Sequence, residues 1–256
     1  MHDRIRFTVK EKRMNKNILI IGMGKSGQAL ARYLGKEGHQ LYLYDRKTEH
    51  QEEICEKLDL DQSICGFYDD NSVADVLNKI DEAVISPGIS LQSKIARLCT
   101  DHSIPLIGEI EMAYRQARGD FIAITGTNGK TTTANLVYEL IKREKQDVFL
   151  AGNIGTPLID IVPFTTKNSV IVLEISSFQL ETIQSFRPKA SVVLNITPDH
   201  LDRHKTMEEY VRAKKRIAEN CGEGDFFVYN EDDPIVREFQ DFACEKISFS
   251  LSHPVK

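Results

Sequence analysis

The sequence predicts an α/β protein made of two successive doubly wound, parallel-sheet units. Three observations predict it. Short, wholly apolar runs alternate with helical stretches, which is how strands buried on both faces read. Two of those runs end in glycine-rich turns that open helices, at 22–27 and 125–132. The length, 256 residues, suits one large or two ordinary domains.

The elements follow in order. NILIIG (17–22) reads as a first buried strand, with a helix from about 27 to 36 behind it. LYLYD (41–45) is a second strand, and EAVISPG (82–88) is a later one stopped by Pro-Gly. IPLIG (104–108) closes the first unit. FIAITG (121–126) starts the second, followed by a helix at 132–143 and strands at 147–153, 169–177 and 190–197. A helix at 207–220 and a strand at 225–230 come next, and the terminal ISFSLSHPVK looks like a strand without its sequel. The boundary falls between 108 and 118, which divides the chain into 1–108 and 109–256.

Composition excludes several classes. With 41% apolar and 28% charged residues the chain is an ordinary globular mixture, not a disordered one. Lys plus Arg is 33 against 38 Asp plus Glu, a net charge of −5. Without a cationic excess, neither nucleic acid nor an acidic membrane surface is the expected partner. No apolar run approaches the ~18–20 residues of a membrane span. The charged start MHDRIRFTVKEKRMNK lacks a signal-peptide core. Met14 precedes the first strand, so 1–13 reads as an upstream-start extension. Five dispersed cysteines (Cys55, Cys65, Cys99, Cys221, Cys244) with no Cys-x-x-Cys read as reduced thiols in a cytoplasmic protein.

The turn Gly22-Met23-Gly24-Lys25-Ser26-Gly27 lies between a strand and a helix, and Asp45 ends the next strand, where a Rossmann acidic residue would stand. Its glycines permit a tight turn and let a helix N-terminus approach a diphosphate. The motif alone leaves open NAD, a sugar nucleotide, or a packing turn with no ligand.

Thr125-Gly126-Thr127-Asn128-Gly129-Lys130-Thr131-Thr132 also joins a strand to a helix. Its two glycines are closer together than in the general phosphate loop. The chemistry still fits: backbone N–H groups surround phosphate oxygens, Lys130 reaches the β/γ-phosphates and Thr131 can ligate Mg²⁺. Glu174 ends the apolar run SVIVLE, so it belongs at the sheet edge where α/β ligands bind, placed like a second Mg²⁺ ligand. ASVVLNITPDHLDRH sets Asn195, Thr197, Asp199, His200, Asp202 and His204 beyond another strand end. His200-x-Asp202-x-His204 could suggest zinc, but no other His or Cys cluster supports it. His200 fits better as a ligand or polariser for Mg²⁺ or substrate, and Asp202 and His204 as capping or ion-pair residues. Lys214, Lys215 and Arg216 read as a solvated basic helix face, and an ammonium cannot ligate a metal.

Together these stretches resemble the Mur ligase family of peptidoglycan synthesis, most closely its D-glutamate-adding branch. The matching segments are GMGKSG (22–27), SPGI (86–89), GEIEMAYR (108–115), ITGTNGKTTT (124–133), GNIGTP (152–157), LEISSFQLE (173–181), NITPDHLDRH (195–204) and AKKRI (213–217). The resemblance implies a Rossmann-like N-terminal domain serving UDP rather than NAD, and an incomplete P-loop-type central ATPase domain. It implies that Lys25, Ser26, Asp45, Arg46 and Lys47 surround the uridine diphosphate. Ser86, Gly88, Asn153, Ser176, Gln179 and His200 would contact the diphosphate or muramoyl part. Gly126, Thr127, Asn128, Gly129, Lys130, Thr131 and Thr132 would bind ATP. Two Mg²⁺ ions are implied, one on Thr131 and Glu174, the other on His200 and a carbamylated Lys214, with Lys215 as fallback. Lys130, His200 and Lys214 would be the catalytic residues.

The implied reaction is ATP-dependent addition of D-glutamate to UDP-N-acetylmuramoyl-L-alanine through an acyl phosphate, by a cytoplasmic monomer. The family has a third, C-terminal domain, so the chain is expected to be a fragment without full ligase activity. The rival readings are another amide ligase of the superfamily, a non-catalytic nucleotide-binding module, and an NAD-dependent oxidoreductase.

Overall fold

The computed structural model describes residues 15–47, 51–58, 60 and 63–254. The suggested start at Met14 lies outside them. In the first unit β1 (Asn17–Ile21), α1 (Lys25–Lys36), β2 (Gln40–Tyr44), α2 (Gln51–Leu58), β3 (Cys65–Tyr68), β4 (Glu82–Ile85), α3 (Lys94–Asp101) and β5 (Leu106–Gly108) follow in order. The strands form a five-stranded sheet ordered β3-β2-β1-β4-β5, with every pairing parallel. The order reverses between β1 and β4, and ligands of open α/β sheets bind outside the carboxyl ends of the strands at such a point.

The second unit runs α4 (Glu109–Tyr114), β6 (Asp120–Thr125), α5 (Lys130–Lys142), β7 (Val148–Gly152), α6 (Leu158–Ile161), β8 (Val170–Glu174), α7 (Ser177–Leu180), β9 (Ala190–Val193), α8 (Leu201–His204), α9 (Met207–Lys215), β10 (Phe226–Asn230) and β11 (Glu245–Phe249). Its sheet is also parallel, ordered β11-β10-β9-β6-β8-β7. The central β6 lies between β8 and β9, so the carboxyl ends of all three meet at one edge.

The expected α/β architecture stands, and the differences are local. The run at 169–177 is not one strand. It breaks after Glu174, and Ser176 opens α7 with a capping box: its hydroxyl accepts from Gln179 N while the Gln179 side chain accepts from Ser176 N. The helix expected at 207–220 ends at Lys215 and tightens into a 3₁₀ turn at Arg216–Ala218. β3 carries only half-buried residues at a sheet edge and lacked the apolar signature of the others.

One apolar core runs through both units. It joins Ile18, Ile20 and Leu30 of the first to Ile159, Phe186 and Phe227 of the second. Tyr114, Phe121 and Phe186 meet edge to face with centroids 5.2–5.9 Å apart. A buried polar knot accompanies this core. The Glu111 carboxylate, fully buried, accepts from the backbone N–H groups of Gln184, Ser185 and Phe186 and from Arg115 Nε at 2.8–3.0 Å. Arg115 also reaches Glu82 at the start of β4, 2.8 Å away. Burial works against the Glu111 charge, but these donors outweigh it and hold the carboxyl below the usual range.

Candidate functional site

Two candidate sites lie at the carboxyl edges of the two sheets. The first is a cavity of about 740 Å³, the size of a small-molecule site, above the β1/β4 switch point. Lys25, Ser26, Asp45, Arg46, Lys47, Ser86 and Gly88 all line it, so the seven candidates expected from the first unit gather at one place. The turn at 22–27 is built for close approach. A Cβ on Gly27 would drive into the Gly22 carbonyl oxygen. Asp45 holds the turn from below, accepting from Met23 N at 2.8 Å and Lys47 N at 3.0 Å, and Ser86 donates to the Gly22 carbonyl at 2.9 Å. Lys25 and Ser26 in the first turn of α1 line the cavity, and the unpaired N–H groups of a helix start suit an anion.

The second is the phosphate loop between β6 and α5. Gly129 enters α5 in the left-handed region (φ 82°), which a side chain would strain. Lys130 Nζ donates back to the carbonyls of Gly126 (3.1 Å) and Thr127 (2.9 Å), curled over the loop it serves. Thr131 donates to Glu174 Oε2 at 2.8 Å, and Asn153 Nδ2 reaches Glu174 Oε1 at 3.1 Å. Glu174 arrives there because β8 pairs with β6 in a register that sets it beside Ile124. Asn153 therefore stands at Glu174 rather than in the first cavity. Its loop touches the first unit too, through Lys25 Nζ on the Gly155 carbonyl.

Sequence reasoning left Asn195 and Tyr210 without roles, and both shape this loop. Asn195 accepts from Asn128 N (2.8 Å) and donates to Asn128 O (3.0 Å), while its own carbonyl accepts from Thr127 N (2.8 Å). The Thr127 hydroxyl lies 3.1 Å from Tyr210 OH and donates to Thr197 O at 3.1 Å. Asn230 and Asp233 support the Asn195 turn from behind, on Leu194 O and Ile196 N at 3.0 and 2.8 Å. The available signal was a run of polar residues directly after an apolar strand.

Lys214 corrects the expectation of a solvated basic face. It is buried, 2% exposed, and donates to Gly126 O at 2.8 Å and Thr125 Oγ1 at 3.4 Å. Burial, then the nearby Lys130 charge, pushes its ammonium down to about 7. Arg216 is not a free face residue either: its guanidinium binds the carbonyls of Leu180 and Ile183 at the end of α7. Lys215 pairs with Asp241 at 2.7 Å. The cause is packing of α9 across the loop, which turns one residue of the basic triplet inward.

His200 takes the left-handed conformation (φ 53°), uncommon for a side-chain-bearing residue, and is half exposed beside Asp199 at 3.4 Å. His204 is buried, 2.9 Å from Ser177 Oγ and 3.4 Å from Glu181, and burial holds its pKa down. The His-x-Asp-x-His run thus splits between different partners, and among the described residues no three His, Cys, Asp or Glu side chains converge on a metal position. Thr131 and Glu174 do supply two hard oxygen donors beside the phosphate loop. Mg²⁺ commonly takes one or two such protein ligands and fills the rest with phosphate oxygens and water.

The two units are bridged. Arg203 stacks over Phe178 at 4.0 Å, pairs with Glu181 at 3.2 Å and reaches the carbonyls of Pro87 and Ile89 in the first unit. Among the described residues no helix is long and apolar enough to cross a membrane.

Two family models match the sequence. Residues 16–108 match the Mur ligase MurD-like N-terminal domain, and residues 124–256 match the Mur ligase middle domain. The UDP-N-acetylmuramoylalanine–D-glutamate ligase of Caldicellulosiruptor bescii is 45% identical over 224 residues, covering 87% of this chain and 49% of that protein. The enzyme of the same name from Caldanaerobacter subterraneus is 45% identical over 242 residues, covering 93% and 52%. The chain therefore spans about half the length of the curated relatives it matches. Among solved structures, the UDP-N-acetylmuramate:L-alanyl-gamma-D-glutamyl-meso-diaminopimelate ligase of Neisseria superposes with a TM-score of 0.61 at 18% identity, covering 92% of this chain and 78% of that one. That likeness shows a shared fold. The middle-domain match covers more than half of the sequence, and the chain belongs to the Mur ligase family.

Proposed function

We propose that the chain carries the sugar-nucleotide and ATP sites of a cytoplasmic ligase that adds D-glutamate to UDP-N-acetylmuramoyl-L-alanine, with 1–108 as the UDP-substrate unit and 109–256 as the ATP unit. The carrying observation is the pairing of a cavity with a phosphate loop. A cavity of small-molecule size lies over the first glycine turn, the two units are joined by Lys25 on Gly155 and Arg203 on Ile89, and the phosphate loop sets Thr131 2.8 Å from Glu174. The relatives at 45% identity carry the name of this activity.

In this reading the alanyl carboxylate attacks the γ-phosphate of ATP in line, giving an acyl phosphate and ADP. The D-glutamate amine then attacks the activated carbonyl and phosphate leaves. Such phosphoryl transfer is mostly positioning and charge neutralisation. The backbone of 126–129 cradles the phosphates, and Lys130 swings from the Gly126 and Thr127 carbonyls onto the β/γ oxygens. His200, Ser176 and Gln179 would contact the diphosphate or muramoyl part. Thr131 and Glu174 would hold one Mg²⁺, and His200 with a carbamylated Lys214 a second; bound metal neutralises phosphate charge. Lys214 has the chemistry for carbamylation, because burial leaves much of it as neutral amine near pH 7.

Calorimetry with UDP-N-acetylmuramoyl-L-alanine and with Mg·ATP, beside a phosphate-release assay, tests the proposal. It predicts two separate single-site isotherms. A chain that binds neither ligand, or binds NAD in the first cavity instead, contradicts it.

A further inference from the structure

A small polar device sits at the base of the first cavity. Tyr44, the last residue of β2, is 1% exposed, borders the cavity and packs in the core with Ile21 and Ile85. Its hydroxyl donates to Asp70 Oδ1 at 2.7 Å, on the loop after β3. The other oxygen, Asp70 Oδ2, lies 3.5 Å from Arg46 Nε. Lys94 donates to the Asp70 backbone carbonyl at 3.4 Å, so the loop is anchored a second time. Arg46 lines the same cavity with its side chain 62% exposed. One carboxylate is therefore shared between a buried phenol, which fixes it, and a guanidinium, which it orients.

We propose that Tyr44 and Asp70 are positioning residues that hold the plane of Arg46 against a uracil-type base in the first cavity, making the Tyr44–Asp70–Arg46 relay a determinant of base recognition separate from the diphosphate contacts. The inference rests on the reading of that cavity as a UDP site. Left alone, a largely exposed arginine samples many rotamers, and each immobilised rotamer-rich side chain costs affinity when ligand binds. A guanidinium tethered through one edge offers its flat face for stacking and its other donors to carbonyl acceptors. The phenol suits the tether. Burial, then the Asp70 hydrogen bond, pushes its pKa up to about 12, so it remains a donor throughout the neutral range. Tyr44 also keeps Asp70 from being merely a solvated surface partner, whose ion pair would count for little.

The test is calorimetry of UDP and of inorganic pyrophosphate on the chain, with Tyr44→Phe, Asp70→Asn and Arg46→Ala. The wild-type chain should bind both. Tyr44→Phe and Asp70→Asn should each weaken UDP roughly five- to tenfold, the scale of one hydrogen bond, and leave pyrophosphate within about twofold. In the Arg46→Ala background, adding Tyr44→Phe should cost nothing further for UDP, as two residues acting through a third must show. Asp70→Asn, at a half-exposed position, keeps the test open if Tyr44→Phe disturbs folding. Unchanged UDP binding in both single variants overturns the inference. So does an equal loss for UDP and pyrophosphate, or a Tyr44→Phe effect that persists without Arg46. A wild-type chain that binds no UDP sinks the underlying reading of the cavity, and the relay with it.

Discussion

Two buried ionisable residues set opposite pH slopes. Burial raises Glu109 to about 7, against which the Ile159 N–H at 2.8 Å works only partly. The folded protein then holds this proton more tightly than the unfolded chain, so its stabilising effect is full below the usual carboxyl range and is lost as pH rises to about 7. Lys214 is lowered to about 7, so the unfolded chain binds more protons above that, and stability rises from about pH 7 toward the ordinary lysine range. Glu109→Gln should therefore gain on the order of 2 kcal/mol at pH 8 and lose the acid-side slope. Lys214→Met should lose the alkaline-side slope. Urea unfolding from pH 5 to pH 10 reads both; parallel curves for wild type and variants would contradict the assignments. Neither burial was legible beforehand. A lysine in Lys-Lys-Arg and a glutamate in GEIEMAYR look exposed until tertiary packing turns them inward.

At the scale of elements, the strand–turn–helix units were readable because apolar runs and glycines obey local rules. The loops that steady the site were not, because their partners are distant in sequence. Asn195 clamps Asn128 from 67 residues away. Asn195→Ala should weaken Mg·ATP roughly fivefold while sparing UDP, on the scale of two lost hydrogen bonds partly replaced by water. Equal losses for both ligands would show global damage instead. The α4 knot is the structural counterpart. Glu111→Ala strips partners from the N–H groups of Gln184, Ser185 and Phe186. It should cost about 3 kcal/mol in urea unfolding, and a change below about 0.5 kcal/mol would refute that role.

For the whole molecule, the topology explains why both candidate sites lie at the carboxyl ends of strands. Each sheet is parallel, so each presents its strand ends on one edge, and the shared core through α4 and α6 sets the two edges beside each other. The sequence order of the motifs implied two cradles. What it did not reveal was the bridge: Lys25 on Gly155, and Arg203 on Pro87 and Ile89. These contacts involve main-chain carbonyls, which leave no side-chain signature. The measurement that bears most directly on this two-cradle account is Mg·ATP and UDP calorimetry on wild type and Lys130→Ala. The account predicts that Lys130→Ala weakens Mg·ATP at least tenfold, the loss of one charge-assisted phosphate contact, and leaves UDP unchanged. Equal Mg·ATP affinity in the two proteins would contradict it.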